Sequence, residues 1–262
     1  MPLIYEPTGK AAEYSPLALN VYTGGCEHRC DYCYCANARS WSTMPRVRNL
    51  AGLDKEAAKA DKQILLSFMS DPYAPFEELY RNTRRALEVL HDARCSVAIL
   101  TKGGTRCLDD LDMFQSWPDG RIKIGATLTF IDPRASLRHE PGAALPIDRL
   151  NALVRLHTAG VRTWASIEPV IEPPESLAVI EVSLPFVDGY KVGKLNHHAS
   201  ANLIDWLAFG SRAVAMIRAA GKALYVKHDL RAAMPGFQFR DEETKPETMF
   251  LPERPQLQES LF

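Results

Sequence analysis

The sequence predicts an α/β protein built on a partial (βα)6-type parallel barrel. Short apolar runs rich in β-branched residues alternate with longer helical patterns about six times along the 262 residues. Runs of this kind are typical of parallel strands that are buried on both faces. Polar residues suited to chemistry follow several of the runs, and parallel barrels place their sites at the carboxyl ends of their strands.

The elements follow one another in a regular order. Predicted strands lie at 18–23, 65–69, 96–100, 122–128, 162–167, 189–193 and 223–227. The clearest predicted helices lie at 77–91, 147–159 and 200–219, and weaker ones at 54–63, 108–116 and 174–182. The barrel is predicted over 17–233, after an N-terminal extension at 1–16. Because Pro, Glu and Arg are common in 234–262, an irregular C-terminal tail is predicted there.

Composition excludes several classes of function. The formal net charge is −1, so the whole chain has no strong electrostatic attraction for nucleic acid or anionic membranes. No apolar run approaches the roughly 18 residues that a membrane helix needs. The first 16 residues lack the charged start and apolar stretch of a signal peptide. A cytoplasmic protein without a membrane association is expected.

Four of the six cysteines fall within ten residues, at Cys26, Cys30, Cys33 and Cys35. Cysteines this close together in a reducing compartment indicate a metal site before they indicate disulfides. The spacing of the first three is C-x-x-x-C-x-x-C. Three thiolates can bind three irons of a [4Fe–4S] cubane and leave the fourth iron open to a small molecule. Gly24 and Gly25 permit the tight turn that such a loop needs.

Zinc is the alternative occupant of this loop. Cys26, His28, Cys30, Cys33 and Cys35 include enough ligands for a tetrahedral zinc ion. Structural zinc sites usually combine two separated ligand pairs, and the sequence near the loop has no second pair. The spacing therefore favours the iron–sulfur cluster.

The stretch YTGGCEHRCDYCY, from Tyr22 to Tyr34, resembles the signature of the radical S-adenosylmethionine (SAM) superfamily, with Tyr32 at its aromatic position. The resemblance extends to the spore-photoproduct-lyase-like branch that is often labelled DNA repair photolyase. SDPYAPFE (70–77), LTKGG (100–104) and SIEP (166–169) follow in the order that this branch has. The resemblance covers roughly residues 17–230.

The resemblance implies a barrel of the radical SAM kind and a specific chemistry. Cys26, Cys30 and Cys33 are expected to bind the cluster, and SAM is expected to chelate its open iron. Reductive cleavage of SAM would release a 5′-deoxyadenosyl radical for hydrogen abstraction. The cofactors carry this chemistry, while the protein positions them and excludes water. A lyase or modifying enzyme of DNA repair, acting on a nucleic acid or nucleotide, is the expected activity.

The same resemblance implies roles for residues near the cofactor. Tyr32 is expected near the adenine, Ser70 and Asp71 near the methionine amino group, and Lys102 near its carboxylate. Thr127 is expected to hydrogen-bond the ribose or the carboxylate. Each residue also has an ordinary explanation, since an Asp-Pro pair commonly ends a strand and a lysine in a glycine turn is usually solvated.

Further candidates follow the fifth and sixth predicted strands. Glu168 is expected to contact the ribose hydroxyls or the substrate. Lys191 and Lys194, with His197 and His198 just beyond, are candidates for reaching the substrate. His28, inside the cysteine loop, is a candidate for tuning the cluster potential through a hydrogen bond.

The sequence departs from the branch at one important position. The hydrogen-donating cysteine of true spore photoproduct lyases is expected just before the Ser-Asp pair, where this chain has Ser67, Phe68 and Met69. Cys35, Cys95 and Cys107 are the remaining thiols that could replace it. Repair of a spore photoproduct is therefore not the expected reaction.

Two alternatives and two partners complete the hypothesis. The same radical chemistry on a peptide or small metabolite is one alternative, and a non-catalytic zinc or iron–sulfur protein is the other. A reductant such as flavodoxin or ferredoxin is an expected partner. Gln258–Phe262 (QESLF) is similar to the short peptides that bind bacterial sliding clamps, which makes a clamp a further candidate partner.

Overall fold

The computed structural model of the protein describes residues 2–37, 42, 44–196 and 199–254. The strands are β1 (Ile4–Tyr5), β2 (Leu17–Leu19), β3 (Tyr22–Thr23), β4 (Arg46–Val47), β5 (Ile64–Leu66), β6 (Val97–Thr101), β7 (Ile122–Thr127), β8 (Arg162–Ile167), β9 (Gly189–Val192) and β10 (Ala223–Val226). The helices are α1 (Leu53–Ala57), α2 (Pro75–Tyr80), α3 (Asn82–Asp92), α4 (Leu111–Gln115), α5 (Pro133–His139), α6 (Pro146–Thr158), α7 (Pro173–Ser183), α8 (Trp206–Ala219) and α9 (His228–Ala232).

One large sheet organises the molecule. Its strand order is β1-β2-β5-β6-β7-β8-β9-β10, and every pair from β2 to β10 is parallel. Only β1 runs antiparallel, against β2. Within the described ranges no ladder joins β10 to β1, so the barrel is partial. The predicted fold class is confirmed.

Alternation along the strands separates a helix-covered outer face from a polar interior. Outward residues such as Ile124 and Val192 belong to two large apolar clusters beneath the helices. Inward residues form a small cluster around Trp164, with Leu65 and Ala98. A period of two along a strand sends neighbouring residues to opposite faces. The few polar residues within the apolar runs therefore point into the barrel.

Two predicted helices differ from the observed ones: one is divided into two, and the other begins later. The 77–91 prediction is divided at Arg81, whose φ of 51° is left-handed. The Glu77 carboxylate accepts hydrogen bonds from the Thr83 and Arg84 amides, so it caps the second helix of the pair. The 200–219 helix begins at Trp206, because Asp205 accepts from the Ala208 amide 2.9 Å away.

The first predicted strand is also divided. Leu17–Leu19 pairs with β5, whereas Tyr22–Thr23 leaves the sheet and pairs with β4. The Asn20 carboxamide accepts from the Phe68 and Met69 amides at 2.8 and 2.9 Å. This side chain therefore binds the backbone where the strand would otherwise have continued.

The tail packs against the barrel. Residues 235–254 contain two short 3-10 helices, and Met249 and Leu251 are buried. The Leu251 amide donates to Gln63 at 2.9 Å, close to the amino end of β5. Most other side chains of 235–254 are exposed or partly exposed, so the tail is irregular as predicted, while its buried apolar side chains lie at the amino end of the barrel. None of the helices in the described ranges is long and apolar enough to cross a membrane.

Candidate functional site

The cysteine loop, residues 24–35, begins directly after β3 at the carboxyl edge of the sheet. Gly24 has a φ of 76°, which glycine adopts without steric cost. A Cβ on Gly25 would lie 2.4 Å from the Ser42 carbonyl oxygen, so the two backbone segments approach too closely for any side chain. The two glycines thus have the backbone roles that the sequence predicted.

The cysteines differ in exposure. Cys26, Cys30 and Cys33 are partly exposed, whereas Cys35 is buried. Burial raises the pKa of Cys26, and it raises the pKa of Cys30 to about 12. A metal that binds these sulfurs would have to displace their protons.

The described residues contain no group of three His, Cys, Asp or Glu side chains arranged around a single metal ion. A mononuclear zinc site needs all its ligands within about 2.3 Å of one point. In a cubane each thiolate binds a different iron, so the sulfurs need not converge. The lack of a convergent ligand set among the described residues is therefore compatible with a cluster.

Asp71 and Lys102 lie next to the loop, as the sequence predicted for the ends of neighbouring strands. The Asp71 carboxylate accepts from the Thr101 hydroxyl at 2.5 Å and the Lys102 amide at 2.7 Å, and its Oδ2 lies 3.1 Å from His28 Nε2. Burial would raise the pKa of Asp71, but His28 and these donors lower it more. The carboxylate is thus bound by protein donors and holds His28 in the loop.

The Lys102 ammonium has no carboxylate partner among the described side chains at ion-pair distance. It lies 5.6 Å from the centre of the Tyr32 ring. Burial lowers the pKa of Lys102, but the nearby Cys30 and Glu140 raise it by more. The pKa is therefore above its ordinary value, and the ammonium stays charged. An anionic ligand beside the loop would complete this arrangement.

Ser70 and Thr127 are buried at the same edge of the sheet. The Ser70 hydroxyl has no hydrogen-bond partner in the described residues, which is unusual for a buried polar atom. Thr127 is the last residue of β7, and its carbonyl accepts from Arg149 at 3.0 Å. The Ser70 hydroxyl therefore keeps its hydrogen-bonding capacity unused by the described residues.

A buried ion pair that no sequence pattern predicted lies beneath the loop. Glu140 Oε2 lies 2.5 Å from Arg149 Nη2, and both side chains are almost fully buried. The other Glu140 oxygen accepts from the Tyr32 hydroxyl. Burial would raise the pKa of Glu140, but Arg149 and Lys102 lower it more. The pair joins α6 to the cysteine loop.

Glu168 belongs to a second polar group inside the barrel. Its Oε2 accepts from the Tyr14 hydroxyl at 2.7 Å and the Lys227 ammonium at 2.5 Å. Tyr14 also lies 2.9 Å from the Ser166 hydroxyl and packs on Phe68. The N-terminal extension therefore contributes Tyr14 to the interior, which composition could not indicate.

The remaining candidates are dispersed. Lys191 is fully buried, and its ammonium donates to the Glu13 carbonyl at 2.5 Å, inside the barrel. Lys194 lies over the Trp206 ring, 5.3 Å from its centre. The two histidines and the clamp-like peptide lie outside the described residues, at His197, His198 and Gln258–Phe262.

The three spare thiols also occupy different places. Cys95 donates to the Ala57 carbonyl at 3.4 Å in the outer core, and Cys107 is buried after β6. Cys35 lies next to the second parallel strand's end, where its sulfur donates to the Phe68 carbonyl at 3.8 Å. Cys35 is thus the thiol nearest the position where the branch has its cysteine.

Comparison with solved structures defines the class of fold. A spore photoproduct lyase variant superposes with a TM-score of 0.63 at 14% identity, over 82% of this chain and 77% of that chain. SuiB of Streptococcus suis bound to S-adenosylmethionine superposes with a TM-score of 0.62 at 12% identity, over 85% of this chain and 53% of that chain. Both are radical SAM enzymes. The chain has their fold, which confirms the predicted resemblance at the level of the fold.

Comparison of sequences identifies the family. The uncharacterized protein MJ0683 of Methanocaldococcus jannaschii is 31% identical over 199 residues, which are 72% of this chain and 74% of that protein. This chain belongs to the same family as MJ0683. The uncharacterized protein ORF301 of Acidianus two-tailed virus is 25% identical over 60% of this chain and 56% of its own length. No family model matches the chain. In the superposition on another spore photoproduct lyase variant, this chain covers 59% of the length of that protein.

Proposed function

We propose that the protein is a radical SAM enzyme that binds a [4Fe–4S] cluster through Cys26, Cys30 and Cys33. One observation carries the proposal: three partly exposed cysteines share the carboxyl edge of a radical SAM fold with a charged lysine that has no carboxylate partner among the described side chains. When bound, the cluster and SAM supply a 5′-deoxyadenosyl radical that abstracts hydrogen.

The chain's own residues bind and orient this cofactor pair. Lys102 donates to the methionine carboxylate, because its ammonium is charged, half-buried and unpaired with a described carboxylate. Ser70 accepts from the methionine amino group through its otherwise unpartnered hydroxyl. Asp71 fixes His28 and the Lys102 backbone and so positions the edge. Tyr32 packs beside the adenine, and Thr127 and Glu168 meet the ribose.

Lys194 completes the proposed cofactor set, from the loop after β9. Its ammonium lies over the Trp206 ring, which keeps the side chain at the carboxyl end of the barrel. SAM is then contacted by residues that follow strands on both sides of the partial barrel.

The metal content of loop variants tests the cluster assignment. We expect about four irons and four sulfides per anaerobically reconstituted wild-type chain, and a loss of most of this iron in Cys30→Ala. Cys35→Ala is the matched control from the same loop and should retain the wild-type iron. A wild-type chain that binds one zinc, and loses it in Cys35→Ala, would contradict the cluster and support the zinc-binding alternative.

We also propose a nucleic acid or nucleotide as the substrate, in a repair or modification reaction of the lyase or modifying type. The Tyr22–Tyr34 stretch supports this, as does the fold of a spore photoproduct lyase bound to a dinucleoside spore photoproduct, with a TM-score of 0.57. A second candidate is a peptide, because SuiB bound to its precursor peptide SuiA superposes at 0.63.

Salt dependence separates the two substrate classes. Phosphate contacts release counterions, so the affinity for single-stranded DNA or RNA should fall steeply between 50 and 200 mM salt. A chain that binds no oligonucleotide at 50 mM salt would contradict the nucleic-acid proposal and leave the peptide.

Partner proposals follow from the same chemistry. We propose a cytoplasmic flavodoxin or ferredoxin as the electron donor, which should replace a chemical reductant in the cleavage of SAM. Failure of both proteins to support cleavage would contradict this. We propose further that Gln258–Phe262 binds a sliding clamp. Equal capture by the clamp of the full chain and of a chain lacking those five residues would contradict that proposal.

A further inference from the structure

A six-residue segment that begins at the last residue of α5 contacts the cysteine loop. The Asp31 amide donates to the His139 carbonyl at 3.0 Å, and His139 Nδ1 lies 2.8 Å from the Asp31 carboxylate. Further along, the Gly142 amide donates to the His28 carbonyl at 3.0 Å. His28 Nδ1 in turn lies 3.0 Å from the Gly142 carbonyl. Residues 139–144 are called the docking segment below.

The approach of the two segments leaves no room for a side chain at Gly142. A Cβ there would lie 1.9 Å from the Glu27 carbonyl oxygen, which no packed protein tolerates. The segment is itself fixed at both ends. The His139 ring stacks on Phe130 with an interplanar angle of 11°, and the Ala144 amide donates to the Lys102 carbonyl at 3.0 Å.

Glu140 connects this segment to the aromatic residue between the second and third cysteines. One of its oxygens is held by Arg149 and by the Ser136 hydroxyl at 3.3 Å. The other accepts from the Tyr32 hydroxyl, and Thr129 approaches it at 3.4 Å. Because the carboxylate is fully buried and anchored by an arginine, its position does not depend on the Tyr32 hydroxyl.

We propose that residues 139–144 dock the cysteine loop and that Glu140 is the positioning residue that fixes Tyr32, and with it Cys30 and Cys33, beside Lys102. In taking this loop as the cluster loop, the inference rests on the proposed function. The docking itself requires no bound cofactor, because every contact is between residues of the chain. Tyr32 and its neighbour Asp31 order the loop between the second and third cysteines, while His28 orders it between the first and second.

Amide hydrogen exchange of the cofactor-free chain tests the docking. Tyr32→Phe removes one hydroxyl and leaves the Glu140–Arg149 pair in place, so the fold is retained. Amides in 26–33 should then exchange about 3- to 10-fold faster, as expected for the loss of one hydrogen bond. Glu140→Gln should act in the same direction. Glu243→Gln is the matched control, since Glu243 is a buried partner of Arg218 at 2.6 Å, far from the loop in sequence.

A second readout separates positioning from plain stability. In anaerobically reconstituted protein, Tyr32→Phe should keep its iron while its dissociation constant for SAM rises about 3- to 10-fold, by loss of the same hydrogen bond. Glu243→Gln should change neither value.

Unchanged loop exchange in Tyr32→Phe would overturn the inference, whatever the iron content. If Tyr32→Phe exchanges faster than the wild type, but reconstituted wild-type protein binds no iron, the docking is supported and the proposed function is rejected. Glu140→Gln is not needed for the decision if the unpaired Arg149 prevents folding.

Discussion

Lys123 offers a quantitative test of the polar barrel interior. Its side chain points inward from β7, and its ammonium donates to the Met249 carbonyl and lies 5.4 Å from the centre of the Trp164 ring. Burial and, to a smaller extent, the charge of Arg162 on β8 together lower the pKa of Lys123 from 10.5 to about 7. Lys191 on β9 also faces it, and burial keeps the pKa of Lys191 well below its ordinary value.

The sign of the pH effect follows from the protons bound. Between about pH 7 and pH 10.5 the unfolded chain carries a proton on Lys123 that the folded chain has largely lost. Stability therefore rises with pH in this window. One proton corresponds to about 1.4 kcal/mol per pH unit, and the folded lysine is half titrated near pH 7. The rise between pH 7 and pH 9 is then about 2 kcal/mol.

The assay is urea unfolding of the wild type and Lys123→Met at pH 7, 8 and 9. Groups remote from Lys123 titrate alike in both proteins and cancel in the difference, whereas Lys191, whose pKa the Lys123 charge lowers, contributes to it. The unfolding free energy of the wild type, relative to that of the variant, should increase by about 2 kcal/mol from pH 7 to pH 9. A difference that is constant across these pH values would refute the assignment of Lys123 as a buried, largely neutral amine.

Two further predictions concern the edge of the sheet and the tail. Asp71→Asn should lower the free energy of unfolding by about 3 kcal/mol or more, because His28 loses a buried anionic partner; a loss under about 1 kcal/mol in urea unfolding would contradict this. Leu251→Ala should cost about 2–4 kcal/mol, because Leu251 is 4% exposed. Leu79→Ala, at a leucine that is 76% exposed, should change thermal stability little. Equal effects of the two leucine variants would show that the tail does not pack on the barrel.

The parallel strands from β5 onward were predictable because each carries its own signal, whereas the two-residue strands β1 and β4 were not predicted. The run at 162–167 matches β8 residue for residue, and the prediction at 189–193 exceeds β9 by one residue. Continuous apolar runs bounded by polar residues identify buried parallel strands without knowledge of their neighbours. The first strand was mispredicted because Asn20 binds the backbone after β5, and that partner lies 48 residues away.

The cysteine loop was likewise predictable from local spacing, whereas its supports were not. Tyr32 and Glu140 are 108 residues apart, and Tyr14 and Glu168 are 154 apart. No periodicity or short motif connects such pairs, because only the closure of the barrel brings them together. An isolated Glu or Tyr in a loop has no property that separates a buried anchor from a solvated side chain.

The burial of two lysines inside the barrel was not predicted, for a related reason. Lys123 and Lys191 lie within apolar runs that were correctly predicted as strands, and alternation then places them inside the barrel. The sequence predicts which face they share, but their partners are backbone carbonyls of Met249 and Glu13, which carry no sequence signature.

The most direct test of the proposed function is the formation of 5′-deoxyadenosine. Anaerobically reconstituted wild-type protein, given SAM and a strong chemical reductant, should produce it over many minutes. Cys30→Ala should produce none above the background without protein. Cys95→Ser, which changes a buried cysteine in the outer core, should retain wild-type production. A wild-type chain that carries a full cluster and yields no 5′-deoxyadenosine, or a Cys30→Ala variant that matches it, would contradict radical SAM chemistry in this protein.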